Sequence, residues 1–143
     1  MKVIVLICAL LLCIAFVSAE VEVESDRAIA YTYPGQPEFK ISTRVVGTWV
    51  DGSRGNLPFT QYDVTVSNLS TRNLKNFFLI TDYTFRVRDG TAYWNVVRLQ
   101  NGDLTLPSYQ NSINAGANYT FGYILQGTPA TPARLSVRYL VYQ

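Results

Sequence analysis

The sequence predicts an all-β fold, and two observations carry the prediction: apolar and polar residues alternate with period two, and tight-turn dipeptides separate the alternating runs. The clearest runs are residues 61–68, 83–88, 119–123 and 135–141. In the first of them, Tyr62, Val64 and Val66 share one face and polar residues share the other. These runs are rich in β-branched and aromatic residues, which is typical of half-buried strands. No helical stripe of useful length follows residue 19.

The turn dipeptides are Asp51-Gly52, Asp89-Gly90 and Asn101-Gly102, which supply the positive φ angles of hairpin turns. Asn101-Gly102 lies between the apolar stretches 97–99 and 104–106, which predicts a hairpin there. Roughly seven or eight short strands in a hundred residues indicate a single antiparallel β-sandwich of immunoglobulin- or fibronectin-like type.

The N-terminus predicts secretion. Lys2 precedes an unbroken apolar run over residues 3–17, and small residues at 18–19 offer a cleavage site, so residues 1–19 are interpreted as a signal peptide. The run is short for a membrane span, which needs about 20 apolar residues. Residues 20–38 contain two prolines and a glycine near their end and are interpreted as a linker or extension. Residues 39–143 are predicted to form the one domain.

Removal of the signal peptide changes the composition. Both cysteines leave with it, so the remaining chain cannot form a disulfide. The remaining chain has 11 basic and 10 acidic residues. This balance favours neither nucleic acid nor an anionic membrane as partner. Two sequons remain, at Asn68 and Asn118, and each is a candidate N-glycosylation site in a secreted protein.

The sequence offers no catalytic residue that we can name. It contains no histidine, which excludes Ser-His and Cys-His nucleophile pairs and leaves no donor set for zinc. Glycoside hydrolysis needs two flanking carboxyl groups. Three of the domain's aspartates belong to turns, Asp63 lies on the polar side of a strand, and only Asp82 lacks a local explanation. We therefore expect a protein that is not an enzyme, with no cofactor and no catalytic metal; a structural calcium ion at turn aspartates stays open.

Four aromatic residues lie near turns or outside the strand pattern: Trp49, Phe59, Trp94 and Tyr109. An aromatic face can stack on the C–H face of a sugar ring, and stacking on a planar base is worth about 1–3 kcal/mol per ring. A row of such rings suits an insoluble polymer, where repeated weak contacts add. Burial in the sandwich explains each tryptophan equally well, and the pattern alone does not separate the two interpretations.

From Phe39 to Tyr142 the chain also resembles carbohydrate-binding module family 49, which occurs at the C-terminus of plant endoglucanases and in small wall proteins of amoebae. The matching segments come in the family order: KISTRVVGTW, QYDVTV, LKN, Trp94, LPSY, FGYI, TPA and a last strand at 135–141. The resemblance implies a β-sandwich that binds crystalline cellulose and has no catalytic role.

Trp49 and Trp94 match the family's tryptophans, Tyr109 stands where the family often has tryptophan, and Phe59 stands where an aromatic residue comes after the first loop. A lone module behind a signal peptide leads us to expect a lectin of an extracellular matrix or a cell or cyst wall. Its expected polysaccharide is cellulose, with chitin as a related β-1,4 polymer. Two alternatives stay open: a secreted adhesion domain that recognises a protein, and an accessory or expansin-like protein that loosens polymers.

Overall fold

The computed structural model describes residues 38–127 and 132–143, together with the backbone of two short strands, 22–23 and 28–32. The predicted signal peptide lies outside the described residues. The strands are β1 (Glu22–Val23), β2 (Ala28–Thr32), β3 (Phe39–Asp51), β4 (Leu57–Asn68), β5 (Leu74–Thr81), β6 (Tyr93–Trp94), β7 (Val97–Arg98), β8 (Leu104–Thr105), β9 (Asn118–Gln126) and β10 (Leu135–Tyr142).

The strands form two antiparallel sheets, which confirms the predicted sandwich. The larger sheet has the order β1-β2-β3-β4-β9-β6, and the smaller one has the order β10-β5-β8-β7. Strand β2 pairs with β3 over residues 28–32, so part of the segment interpreted as a linker or extension adds to the larger sheet. Among the described residues, no helix is both long and apolar enough to cross a bilayer.

The core lies between the two sheets. Alternation places Tyr62, Val64 and Val66 of β4 inside, as the period-two pattern predicts, with exposures of 1% or less. Aromatic rings fill much of the space: Tyr62 stacks on Tyr123 at 5.3 Å between ring centroids, and Phe85 meets Tyr123 edge-on at 5.2 Å. The described residues contain no cysteine, so a disulfide does not stabilise this part of the chain. Burial of large aromatic side chains supplies the apolar core that a domain of this size needs.

The predicted hairpin at Asn101-Gly102 is present. Val97 pairs with Thr105, Leu99 and Asp103 continue the ladder, and Gly102 adopts a φ of 90° in the turn. At Asp51-Gly52 the connection is longer than a two-residue turn. Asp51 caps a 3-10 turn by accepting hydrogen bonds from the Ser53 amide and hydroxyl, and the chain returns through positive φ at Gly55 and Asn56.

Two strand assignments differ from the prediction. Residues 83–88 form turns with one isolated bridge at Val87, because Asp82 binds the amide and hydroxyl of Thr84 and so bends the chain. Tyr139, predicted to be in the core, is 47% exposed. The register shifts between Val137 and Tyr139, and this bulge moves Tyr139 to the outer face.

The sequon at Asn68 is also corrected. Asn68 is fully buried, and its Nδ2 atom donates to the carbonyls of Arg72, Ile113 and Asn114. Its Oδ1 atom accepts from the amide and hydroxyl of Ser70, the third residue of the same sequon. A glycan on Nδ2 is incompatible with this packing. Asn118, by contrast, is exposed at the start of β9.

Candidate functional site

The outer face of the larger sheet carries the candidate site. On β4 and β9 the side chains that point away from the core are mostly uncharged and small. Gln61 pairs with Ile124, Asp63 with Gly122 and Thr65 with Thr120. The charge on Asp63 is matched by Arg44 of β3 at 3.0 Å.

Trp94 lies on this face against β9. It pairs with Gly122, and a Cβ atom added at Gly122 would come within 2.2 Å of the Trp94 ring. Any side chain at this position would therefore displace the indole, which explains the glycine inside a well-formed strand. Trp94 is half-buried, so one side of the ring packs on the strand and the rest stays accessible.

Trp49 lies on the same face at the other end. It pairs with Phe59 across β3 and β4, and the two rings stack with centroids 6.2 Å apart. Trp49 is half-buried, whereas Phe59 is 2% exposed and lies outside the main core cluster. The prediction that Phe59 touches a ligand is corrected: its side chain is covered, and its ring packs beside that of Trp49 as a cross-strand neighbour.

The spacing of the two tryptophans results from the register. Trp49 lies level with Gln126 of β9, and Trp94 lies level with Gly122, across the strand order β3-β4-β9-β6. Strand separations of about 4.8 Å and a rise of about 3.3 Å per residue place their Cα atoms about 20 Å apart. A ligand that contacts both rings must therefore be an extended molecule.

Tyr109 completes the set at the edge of the sheet beside Trp94. It is 69% exposed, and its hydroxyl donates to Oδ1 of Asn95, the residue after Trp94. The Tyr119 hydroxyl donates to the Asn95 carbonyl at 2.8 Å. Asn95 itself adopts a φ of 61° and donates from Nδ2 to the Thr120 carbonyl. These contacts join Tyr109 and Tyr119 through Asn95, the residue that follows Trp94 in the chain.

The Tyr119 hydroxyl is partly shielded from solvent and lies near that of Tyr109, and these surroundings raise the pKa of Tyr119 to about 12. We call the surface formed by Trp49, Trp94 and Tyr109 the ring face.

An ionic brace holds the Trp49 end of the ring face. Arg54, in the loop between β3 and β4, binds Asp89 at 3.2 Å and approaches Asp51 at 3.7 Å. Asp89 precedes the segment whose Ala92 carbonyl accepts from the Ile124 amide of β9. These ion pairs therefore connect the β3–β4 loop to the segment that pairs with β9.

The aspartates serve turns and ion pairs. Asp51, Asp82 and Asp89 each accept hydrogen bonds from the amide and hydroxyl two residues later, and these bonds lower the pKa of each carboxyl, that of Asp89 to about 2. A general acid in glycoside hydrolysis needs a raised pKa. Asp82, unexplained in the sequence, is thus a turn cap. Within the described part of the chain, no three His, Cys, Asp or Glu side chains are grouped to hold a metal ion.

The sequence singled out Trp49, Trp94 and Tyr109 without separating exposure from burial, and it did not indicate the residues that pack against them. Gly122 and Tyr119 were not predicted as part of the site, although a glycine inside an alternating strand signals a close approach. Gln61 does lie on the ring face, between the two tryptophans. Asn95, the residue after Trp94, is engaged in hydrogen bonds with Tyr109, Tyr119 and Thr120.

A β-sandwich that presents aromatic rings beside amide and hydroxyl groups on one sheet has the construction of a carbohydrate-binding domain. Residues 39–126 match the family described as "Carbohydrate binding domain CBM49", and the chain belongs to this family. The resemblance seen in the order of its segments is thereby confirmed, and the family's role is binding, not catalysis.

Two proteins of Dictyostelium discoideum are similar to the chain. It is 60% identical to stalk-specific protein A over 102 residues, which cover 70% of this chain and 64% of that protein. It is 46% identical to stalk-specific protein B over an alignment of 154 residues, which covers 96% of this chain and 97% of that protein. Among solved structures, chitinase ChiA74 from Bacillus thuringiensis is similar with a TM-score of 0.45 and 15% identity, over 81% of this chain and 19% of that one.

Proposed function

We propose that this protein is a secreted, non-catalytic lectin that binds an insoluble β-1,4-glucan, cellulose first and chitin second, in an extracellular matrix or wall. The observation that carries the proposal is the ring face, on which Trp49 and Trp94 lie about 20 Å apart on one sheet. A long unbranched polymer can contact both rings, whereas a monosaccharide can contact only one.

The polar groups of the ring face complement a neutral sugar chain. Gln61 lies between the two tryptophans, and hydroxyl groups of Thr65 and Thr120 line the adjoining rows of the sheet. The one acidic side chain there, Asp63, is neutralised by Arg44. Such a surface offers hydrogen bonds without repelling or attracting charge.

The similarity to stalk-specific proteins of Dictyostelium discoideum supports an extracellular setting. The predicted signal peptide supports secretion on independent grounds.

Depletion isotherms test the proposal. The chain from residue 20 onward is mixed with microcrystalline cellulose, chitin or a soluble α-glucan, and unbound protein is measured. We expect retention by cellulose and, more weakly, by chitin. Replacing one ring should weaken binding by about 1–3 kcal/mol, the range known for a stacked ring. Trp94→Ala, Trp49→Ala and Tyr109→Ala are therefore compared with the wild type.

Tyr83→Ala is the matched control, because Tyr83 is 74% exposed and lies outside the ring face. Circular dichroism establishes that each variant is folded. Equal retention of Tyr83→Ala and loss in the ring-face variants support the proposal. A folded wild type that stays in solution with every polymer refutes it and favours a protein partner.

A further inference from the structure

The outer face of the smaller sheet carries a second pair of rings. Phe78 of β5 and Tyr139 of β10 are cross-strand neighbours, and their centroids are 4.3 Å apart with planes inclined by 25°. Phe77 and Leu79 on either side of Phe78 are fully buried, so alternation directs Phe78 away from the core. The 47% exposure of Tyr139 leaves much of this ring pair accessible.

A bulge turns Tyr139 to this face, and an ion pair between the exposed Arg138 and the buried Asp103 holds the bulge. Arg138 is the extra residue in β10, and its guanidinium binds both carboxyl oxygens of Asp103, whose side chain is 2% exposed. The two parallel hydrogen bonds of such a bidentate pair fix the relative orientation of the two side chains in addition to the attraction between their charges. Because β10 is the edge of its sheet, the bulge also hinders addition of another strand.

A groove of about 330 Å³ lies beside the ring pair. Phe78, Leu106 and Val141 form apolar walls, while Asn76, Gln110 and Asn111 supply amides. Lys75 is the one charged residue that lines it. A groove with amides, an aromatic wall and no carboxylate matches a neutral, hydroxyl-rich ligand.

Asn76 offers the groove a fixed donor. Its Oδ1 atom accepts from the Phe77 amide, the Leu106 amide and the Thr105 hydroxyl. Backbone N–H groups can only donate, so these contacts fix which end of the amide is oxygen. Among the described residues Nδ2 has no hydrogen-bond partner, and it is free to donate to a ligand hydroxyl.

We infer that Phe78, Tyr139 and Asn76 form a second polysaccharide-binding site, which takes another chain of the same class of β-linked glucan. The inference rests on the proposed function of the ring face. Trp49 and Trp94 lie on the outer face of the larger sheet, and Phe78 and Tyr139 lie on the outer face of the smaller sheet. Because the two sheets pack about 10 Å apart, one straight chain cannot contact both pairs of rings. The domain therefore cross-links polysaccharide chains.

Two substitutions remove the site with little effect on the fold. Tyr139→Ala deletes the exposed ring. Asn76→Asp keeps the acceptor that Phe77, Leu106 and Thr105 need and replaces only the free donor. Each is expected to weaken binding at the second site, Tyr139→Ala by about 5- to 150-fold, the range for one stacked ring. Tyr83→Ala serves again as the exposed-tyrosine control.

The assay measures bundling of cellulose nanocrystals by turbidity and low-speed sedimentation, in parallel with binding. We expect the wild type and Tyr83→Ala to bundle nanocrystals, whereas Tyr139→Ala and Asn76→Asp still bind through the ring face but no longer bundle. Unchanged bundling by both second-site variants overturns the inference and leaves the proposed function intact. Failure of the wild type to bind cellulose at all refutes the proposed function instead.

Self-association is the competing source of bundling. Sedimentation velocity of the wild type without polysaccharide separates the two explanations. A monomer at assay concentration supports two sites on one domain. A dimer that Tyr139→Ala dissociates assigns this face to a second copy of the chain and overturns the inference.

Discussion

Substituting Gly122 by alanine displaces the Trp94 indole without removing it. The added Cβ atom would stand 2.2 Å from Cζ2 and 2.5 Å from Cε2 of the ring, far inside van der Waals contact. Overpacking of this kind costs about 1–3 kcal/mol. Gly122 does not require a positive φ, so the backbone itself accepts alanine, and the whole penalty should come from the ring.

A double-mutant cycle isolates this effect. In the wild-type background, Gly122→Ala should lower the free energy of unfolding by about 1–3 kcal/mol. In the Trp94→Ala background the clash is gone, and the same change should be neutral or stabilise by about 0.4–1 kcal/mol, as Gly→Ala does at unstrained sites. The coupling energy between the two positions is then about 1–4 kcal/mol, the difference of those two effects.

Urea denaturation measures the stabilities, and near-ultraviolet circular dichroism reports the indole environment. Cellulose depletion measures binding, and Gly122→Ala should weaken it as much as Trp94→Ala does. Equal destabilisation by Gly122→Ala with and without Trp94 would refute the reasoning. So would full cellulose binding by a Gly122→Ala protein whose indole signal has changed.

Three further predictions concern glycosylation and pH. Expressed in a secretory host, the protein should carry a glycan at Asn118 only, and mass spectrometry should find no glycan on the Asn118→Gln variant. Asn68→Ala should lower the free energy of unfolding by at least about 2 kcal/mol, because buried carbonyl groups lose their hydrogen-bond donor. A glycan at Asn68 in folded protein would contradict this prediction. The Arg138 hydrogen bond holds the pKa of Asp103 below its ordinary 3.8, so the stability it contributes is present above pH 3.8 and is lost as pH falls further. In Asp103→Asn the free energy of unfolding, measured with urea, should fall less steeply below pH 3.8 than in the wild type. An identical fall in both proteins would count against the Asp103–Arg138 pair. The pKa of Tyr119 is raised to about 12, chiefly by loss of solvent and then by the neighbouring Tyr109, so the stability that Tyr119 contributes is complete below pH 10 and is lost as pH rises through about 12. Tyr119→Phe should reduce this alkaline loss and remove a late step of tyrosinate absorbance. A wild type without such a step contradicts the shielding of the Tyr119 hydroxyl.

Alternation in the sequence was enough to predict the sandwich and the core side of β4, because a strand's period is two and one face is buried. It failed at Tyr139 because one extra residue in β10 reverses the parity of the residues after it. The bulge is held by Asp103, 35 residues earlier, and so has no local signal. Residues 83–88 alternated too, but the cap from Asp82 bends the chain there.

The ring face was only partly predictable. Trp49 and Trp94 stood out by their position near turns, yet their placement on one face depends on the pairing of β3, β4, β9 and β6. Phe59 lies on the same face of the sheet as Trp49, and only the burial of the two side chains in the folded chain shows that Phe59 is the covered one. Asn68 looked like any sequon, and its burial depends partly on the carbonyls of Ile113 and Asn114, which lie more than 40 residues away in the sequence.

The most direct test of the ring face uses the fact that the chain has two tryptophans. Two-dimensional NMR of the folded protein shows one indole N–H resonance for each, and a soluble β-1,4-linked glucan hexasaccharide is titrated against them. The account predicts that both resonances shift with the same dissociation constant, because one chain contacts Trp49 and Trp94 together. Retention on cellulose with neither indole resonance perturbed by the oligosaccharide would contradict it.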